Sequence, residues 1–176
     1  MFNQRGQAFS VFELMIAAIV AVAILFVLLP ILGGIITPTG DAKTNIGNTL
    51  ASVRTGATAD TPIFKLEKGT LIKSEHFTAK GLDKCSINFD QGKFTSGVTV
   101  TNGEAETCNG SFLYTGVGTV NARAKVICET TPTSLQDTVG KLEAANSIEA
   151  PKYDYWTSCG EDGDYDVCCL VILQKA

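Results

Sequence analysis

FSVFELMIAAIVAVAILFVLLPILGGII, residues 9–36, is the stretch that decides the fold expected from this sequence. From Leu14 to Ile36 no side chain carries a charge. As a helix this run would be roughly 35 Å long, against a bilayer core of about 30 Å. A surface helix of a globular domain would show a polar face, and none is present here. The pattern therefore predicts a membrane-spanning helix over residues 9–36.

Three features of the flanking sequence are specific. A short polar segment, MFNQRGQA, precedes the run, Glu13 lies just inside it, and Pro30 lies near its end. Together, RGQA, FSVFELMIAAIVAVAIL and Pro30 resemble the signal and N-terminal helix of type IV prepilins. In that family a basic leader is removed before a Phe by a membrane-embedded aspartic peptidase, and Glu and Pro stand fifth and about twenty-second in the mature chain. Counted from Phe9, Glu13 is fifth and Pro30 is twenty-second.

The resemblance leaves two processing sites open. Family leaders usually end in Gly, whereas Ala8 precedes Phe9 here and Gly6 lies two residues earlier. Cleavage after Gly6 would leave Gln7 first, as in the archaeal class III form of these signals. Gly6, Gln7, Ala8 and Phe9 are therefore the candidate processing residues, and residues 1–8 are the expected leader. A secretory signal peptide fits less well, because the apolar run is too long for one.

The resemblance implies a function in filament assembly for Phe9, Glu13 and Pro30. In a filament the freed ammonium of Phe9 in one copy would approach Glu13 of another, and the opposite charge would favour the ionised carboxylate. Pro30 removes one backbone donor and loosens the helix there. The expected partners are further copies of the chain, a prepilin peptidase and the membrane.

Residues 37–176 are expected to lie outside the cell. Arg5 before the run and Asp41 after it give a small positive-inside bias. This predicts a single-pass membrane protein with an extracellular C-terminal domain, which becomes a cell-surface filament on assembly. An even number of cysteines after the run indicates disulfides in an exported domain. The candidates are Cys85, Cys108, Cys128, Cys159, Cys168 and Cys169.

The pairing of these cysteines stays open, since six allow fifteen combinations. We favour Cys85 with Cys108. Cys128 and Cys159 would then take Cys168 and Cys169 in either order, because neighbours in a strand point to opposite faces and serve two partners.

The expected fold class is α+β, with the membrane helix followed by a mainly antiparallel β domain and one or two short helices. Residues 37–61 form an amphipathic helix and linker, in which Ile46, Leu50 and Val53 have helical spacing. Residues 62–176 form the β-rich extracellular domain. The predicted strands are 63–66, 70–72, 85–89, 94–101, 104–108, 112–115 and 119–128, arranged as a meander. A helix is predicted over 133–146, and the strand 166–173 is apolar on both faces, which is typical of a central strand.

Few residues indicate another chemistry. The acids at alternate positions in CGEDGDYDVC form a weak calcium candidate, which is Asp162, Asp164 and Asp166. The residues that complete an EF-hand are missing, so we expect no metal. His76 is the only histidine and is expected on the surface. With net charge −4 and scattered basic residues, nucleic acid is not an expected partner. No nucleotide or hydrolase motif is present, so neither a cofactor nor enzymatic activity is expected.

The sequence thus predicts a structural subunit of a type IV pilus-like filament. A membrane-anchored extracellular binding domain that does not assemble is the alternative, and an extracellular enzyme is a third.

Overall fold

The computed structural model describes most of the chain beyond the first helix. The described residues are 13–25, 40–53, 56–80, 82–83, 86–102, 110–149, 151 and 167–176. The chain divides into two compact units, Met1–Thr37 and Pro38–Ala176. We call the second unit the head.

The first unit contains helix α1, described over residues 13–25. Within the part of the chain that the structure describes, no helix combines the length and the apolar content needed to cross a membrane. The prediction of a membrane-spanning helix over residues 9–36 is therefore wrong on this structure. The predicted single-pass localisation, with an extracellular C-terminal domain, is wrong with it.

The head is α+β and mainly β, and its centre is a five-stranded sheet. The strands are β1 Ala57–Asp60, β2 Phe64–Leu66, β4 Ile87–Asp90, β7 Val120–Glu129 and β8 Cys168–Lys175. They lie in the order β1-β7-β8-β4, and β2 also pairs with β7. The long strand β7 receives β1 along one half and β2 along the other. Between these two strands Thr61 continues the ladder, because its N–H donates to Ala124 O and its hydroxyl accepts from Ala124 N, both at 2.8 Å.

Strand β8 lies between β7 and β4, as its apolar sequence predicted. Cys169, Val171 and Leu173 belong to the core on one face of the sheet, and this core also contains the buried side of α2 (Ala42–Val53). Cys168, Leu170 and Ile172 belong to the core on the other face, under α3 (Pro132–Ala144). All six are at most 2% exposed, so the strand is covered from both sides. Each such large apolar side chain stabilises the fold by about 1.5–3 kcal/mol.

The two head helices have the expected positions. In α2 the apolar residues Ile46, Leu50 and Val53 are buried, in agreement with their helical spacing. In α3 Leu135 and Val139 are buried. The helix begins one residue earlier than the pattern indicated, because Thr131 is its N-cap and Pro132 occupies the first turn.

The predicted antiparallel meander is wrong. A second sheet has the order β3-β6-β5, built from β3 Leu71–Lys73, β6 Ser111–Tyr114 and β5 Val98–Thr101. Strands β2 and β3 are neighbours in sequence but belong to different sheets. Strand β4 pairs in parallel with β8, which is far away in sequence. All four residues of β4 are buried.

One asparagine side chain joins the two sheets. Asn102, which directly follows β5, accepts a hydrogen bond from Phe89 N (2.9 Å) and donates one to Phe89 O (2.8 Å). The amide therefore takes the place of a neighbouring strand on the outer edge of β4. It satisfies backbone groups that would otherwise be left exposed at a sheet edge.

We predict that Asn102→Ala lowers the free energy of unfolding by about 1–3 kcal/mol, because Phe89 loses both partners. Asn102→Asp keeps the acceptor, removes the donor, and should also destabilise the head. Urea unfolding followed by circular dichroism measures the change. Thr99→Ala, at an exposed position on β5, is the matched control and should stay within about 0.5 kcal/mol of the wild type. An Asn102→Ala protein as stable as the control would contradict this account.

Candidate functional site

The surface of α1 is the first candidate site. Every residue of the described helix is exposed. The exposed large apolar side chains are Leu14, Met15, Ile16, Ile19, Val20, Val22, Ile24 and Leu25, each 48–73% exposed. The remaining described positions are alanines and Glu13. We call this set the α1 surface.

The α1 surface has the properties of a protein contact site. Soluble proteins rarely leave contiguous apolar patches of this kind uncovered, and such patches mark sites of association. Because apolar residues occur all round the helix, a partner on one side only would leave part of the surface in water. Glu13 is its single charged residue, and it forms no ion pair among the described residues. Any close partner of the helix would thus have to satisfy one carboxylate.

A groove in the head is the second candidate. It has a volume of about 640 Å³ and lies between the start of α2, β2 and β3. The charged residues on its wall are Asp41, Lys43, Lys65 and Glu67. Neither lysine forms an ion pair within the part of the chain that the structure describes. The groove therefore offers two ammonium groups to a bound molecule.

Asp41 shapes this groove by fixing the start of α2. Its Oδ1 accepts from Thr44 N at 2.7 Å, and its Oδ2 accepts from the Thr44 hydroxyl at 2.9 Å. The backbone N–H of Thr44, helped by its hydroxyl, lowers the pKa of the Asp41 carboxyl. The backbone of Asp41 also forms an isolated parallel β-bridge with the backbone of Lys65, which ties the helix start to β2. The pattern Asp41–Thr44 before an apolar period is a helix-start signal, so this role was readable in the sequence.

His76 lies at the surface of the head with its side chain partly buried, and it makes a contact that the sequence did not indicate. Its ring is partly buried, and its Nδ1 accepts a hydrogen bond from Lys73 N at 3.1 Å. It lies in the short 3₁₀ helix Ser74–Lys80, whose Phe77 is buried in the core. Nothing in the sequence indicated the contact with Lys73, because it depends on how β3 leads into this helix.

The structure joins Cys128 to Cys169 by a disulfide between directly opposed residues of β7 and β8. This is one of the pairings that the sequence analysis left open. The adjacent Cys168 is buried on the opposite face of β8, as alternation in a strand requires. Cys85, Cys108 and Cys159 lie outside the described residues.

Several other predicted site residues also fall outside the described part. They are Gly6, Gln7, Ala8, Phe9 and Pro30 of the processing and assembly set, and Asp162, Asp164 and Asp166 of the calcium candidate. Among the residues that the structure does describe, no cluster of His, Cys, Asp or Glu could hold a metal ion. Of the assembly set, only Glu13 is seen, at the start of the described part of α1.

Comparisons of the chain with known protein families, with curated proteins and with solved structures found no significant match.

The cap on α2 gives a prediction about stability. Asp41→Ala should lower the free energy of unfolding by about 1 kcal/mol, whereas Asp41→Asn keeps an acceptor for Thr44 N and should lose less. Because the pKa of Asp41 is lowered in the folded head, its ionised form contributes stability above the ordinary pKa of 3.8. That contribution is lost as the pH falls through this range. Unfolding curves at several acidic pH values should show a shallower pH dependence for Asp41→Asn than for the wild type. Equal slopes would contradict the assignment.

Proposed function

We propose that the chain is the structural subunit of a type IV pilus-like filament, in which the α1 helices of neighbouring copies pack against one another. The observation that carries this proposal is the α1 surface, which is apolar all round and exposed in the single chain. In a filament, copies on several sides bury it together. The gain is about 25 cal/mol for each Å² of apolar surface removed from water.

The sequence around the helix supports the same proposal. Phe9, Glu13 and Pro30 have the spacing of the type IV prepilin signal, and the residues Gly6 to Phe9 fit a site for a prepilin peptidase. Removal of the leader would free an ammonium group at the new first residue. This group supplies the cation that Glu13 of a neighbouring copy requires once the helices have excluded water. The charge pair would fix the axial register of the subunits.

The head suits the role of a unit carried by such a filament. Its described part contains its own apolar core on both faces of the five-stranded sheet. The Cys128–Cys169 disulfide closes a loop of 41 residues across the two central strands. A bridge of this kind typically contributes about 2–4 kcal/mol to stability.

We predict that a charge placed on the α1 surface prevents assembly. Ile19→Glu would bury a carboxylate without a partner at each interface between copies. Each such buried charge costs several kcal/mol, so the sedimentable fraction should fall at least about tenfold. The full chain is produced with and without the substitution. Filaments are then measured by high-speed sedimentation and negative-stain electron microscopy.

Val117→Glu is the matched control for Ile19→Glu. It introduces the same charge at an apolar head residue that is 96% exposed, and it should assemble as the wild type does. If Ile19→Glu assembles as well as Val117→Glu, the α1 surface is not the assembly site.

A second prediction concerns the charge of Glu13. Glu13→Gln has almost the same shape but no charge, and Glu13→Ala removes both; each should abolish filaments, because the neighbour's ammonium group is left buried without a partner. Glu143→Ala, at an exposed head position outside the groove, is the control. Normal filaments from Glu13→Gln would show that the charge pair does not hold the subunits together, even if the helices do.

A further inference from the structure

Strand β3 is an edge strand of the second sheet. Tyr114 N donates to Thr70 O, and Ser74 N donates to Gly110 O. In an antiparallel pair, hydrogen-bonding groups face the partner strand at alternate residues. Thr70, Ile72 and Ser74 therefore turn their backbone groups towards β6. Leu71 and Lys73 turn theirs away from it, towards the outer edge of the sheet.

At this edge His76 covers one of the outward backbone groups. Lys73 N donates to His76 Nδ1 at 3.1 Å. Accepting this bond requires a lone pair on Nδ1, so the ring is neutral and carries its proton on Nε2. An edge strand with uncovered N–H and C=O groups is a template for pairing with another chain. The ring thus occupies a position where an added strand would bind.

The surroundings of the ring favour its neutral form. Burial is the largest effect and lowers the pKa of His76, and the ammonium groups of Lys43 and Lys73 act in the same direction. Glu75 opposes them, but its carboxylate lies 3.1 Å from Lys73 Nζ in an ion pair. Lys43 comes from α2, Lys73 from β3 and Glu75 from the 3₁₀ helix itself.

We propose that His76 is a pH-sensitive cap on the β3 edge, which holds the Lys73 N–H when the ring is neutral and releases it when the ring is protonated. Protonation places a proton on Nδ1, so two donors face each other and the hydrogen bond is lost. The Lys73 N–H is then uncovered and faces the outer edge of the sheet, as the backbone groups of Leu71 do. The junction between β3 and the 3₁₀ helix loses one of its contacts, while the ion pair between Lys73 and Glu75 remains.

The sign of the effect on stability follows from the direction of the pKa shift. A lowered pKa in the folded head means that the unfolded chain binds a proton more readily. The contribution of the cap is fully present above the ordinary pKa of 6.5 and is lost as the pH falls below it. His76 is the only histidine in the chain, so no other imidazole titrates in this range.

Amide hydrogen exchange followed by NMR tests the proposal on the full chain. The measured quantity is the protection of the Lys73 amide relative to that of Ser74, whose N–H is bonded to Gly110 O and serves as internal reference. Above the pKa of His76, the uncapped fraction falls about tenfold for each pH unit. The protection of Lys73 should therefore rise by about the same factor until other local openings limit it. Below that pKa the protection should disappear.

Two variants distinguish the His76 cap from a general effect of low pH on the stability of the head. His76→Asn offers an amide oxygen near the position of Nδ1 but does not titrate, so Lys73 should stay protected at every pH. His76→Ala has no acceptor, so Lys73 should be unprotected at every pH while Ser74 stays protected.

The wild-type protein decides the matter even if a variant fails to fold. NMR shifts of its imidazole ring report the titration of His76 directly. Protection of Lys73 that follows this titration supports the cap. Protection of Lys73 that is unchanged while the ring titrates would overturn the proposal.

Discussion

The head is organised by a single constraint, which is that strand β8 carries apolar side chains on both faces. Cys169, Val171 and Leu173 require cover on one side, and Cys168, Leu170 and Ile172 require it on the other. Helix α2 with the second sheet provides the first cover, and α3 provides the second. A strand of this kind has to be central, so β7 and β4 pair with its two edges. The side chain of Asn102 then forms hydrogen bonds with the backbone of Phe89 at the outer edge of β4.

Local sequence patterns predicted the positions of helices and strands better than they predicted which strands pair. The period of Ile46, Leu50 and Val53 predicted α2, and the unbroken apolar run after residue 166 predicted a central β8. The turn at Gly69 reverses the chain, but it leads β3 into another sheet instead of back onto β2. Turn residues determine where a chain reverses. They do not determine that β4 pairs in parallel with a strand some eighty positions away, which depends on burial in the whole head.

The candidate sites also differ in how much of them the sequence indicated. The apolar character of α1 was read directly from the sequence, but the inference to a membrane span was not supported by the described helix. The roles of His76 and Asn102 could not be read, because each depends on a backbone group brought near by folding. What connects sequence and structure most firmly is the α1 surface. Its apolar side chains are exposed in one copy, whereas most large apolar side chains of the described head are buried. In the proposed filament, several neighbouring copies would cover them together.

Cryo-electron microscopy of sedimented material from cells that produce the full chain tests this central claim most directly. The account predicts filaments whose interior consists of packed N-terminal helices, with Glu13 of one copy close to the amino terminus of another. It also predicts a chain that begins at Phe9 or Gln7. Material without filaments would contradict the account. So would filaments in which every contact between copies is made by residues 38–176.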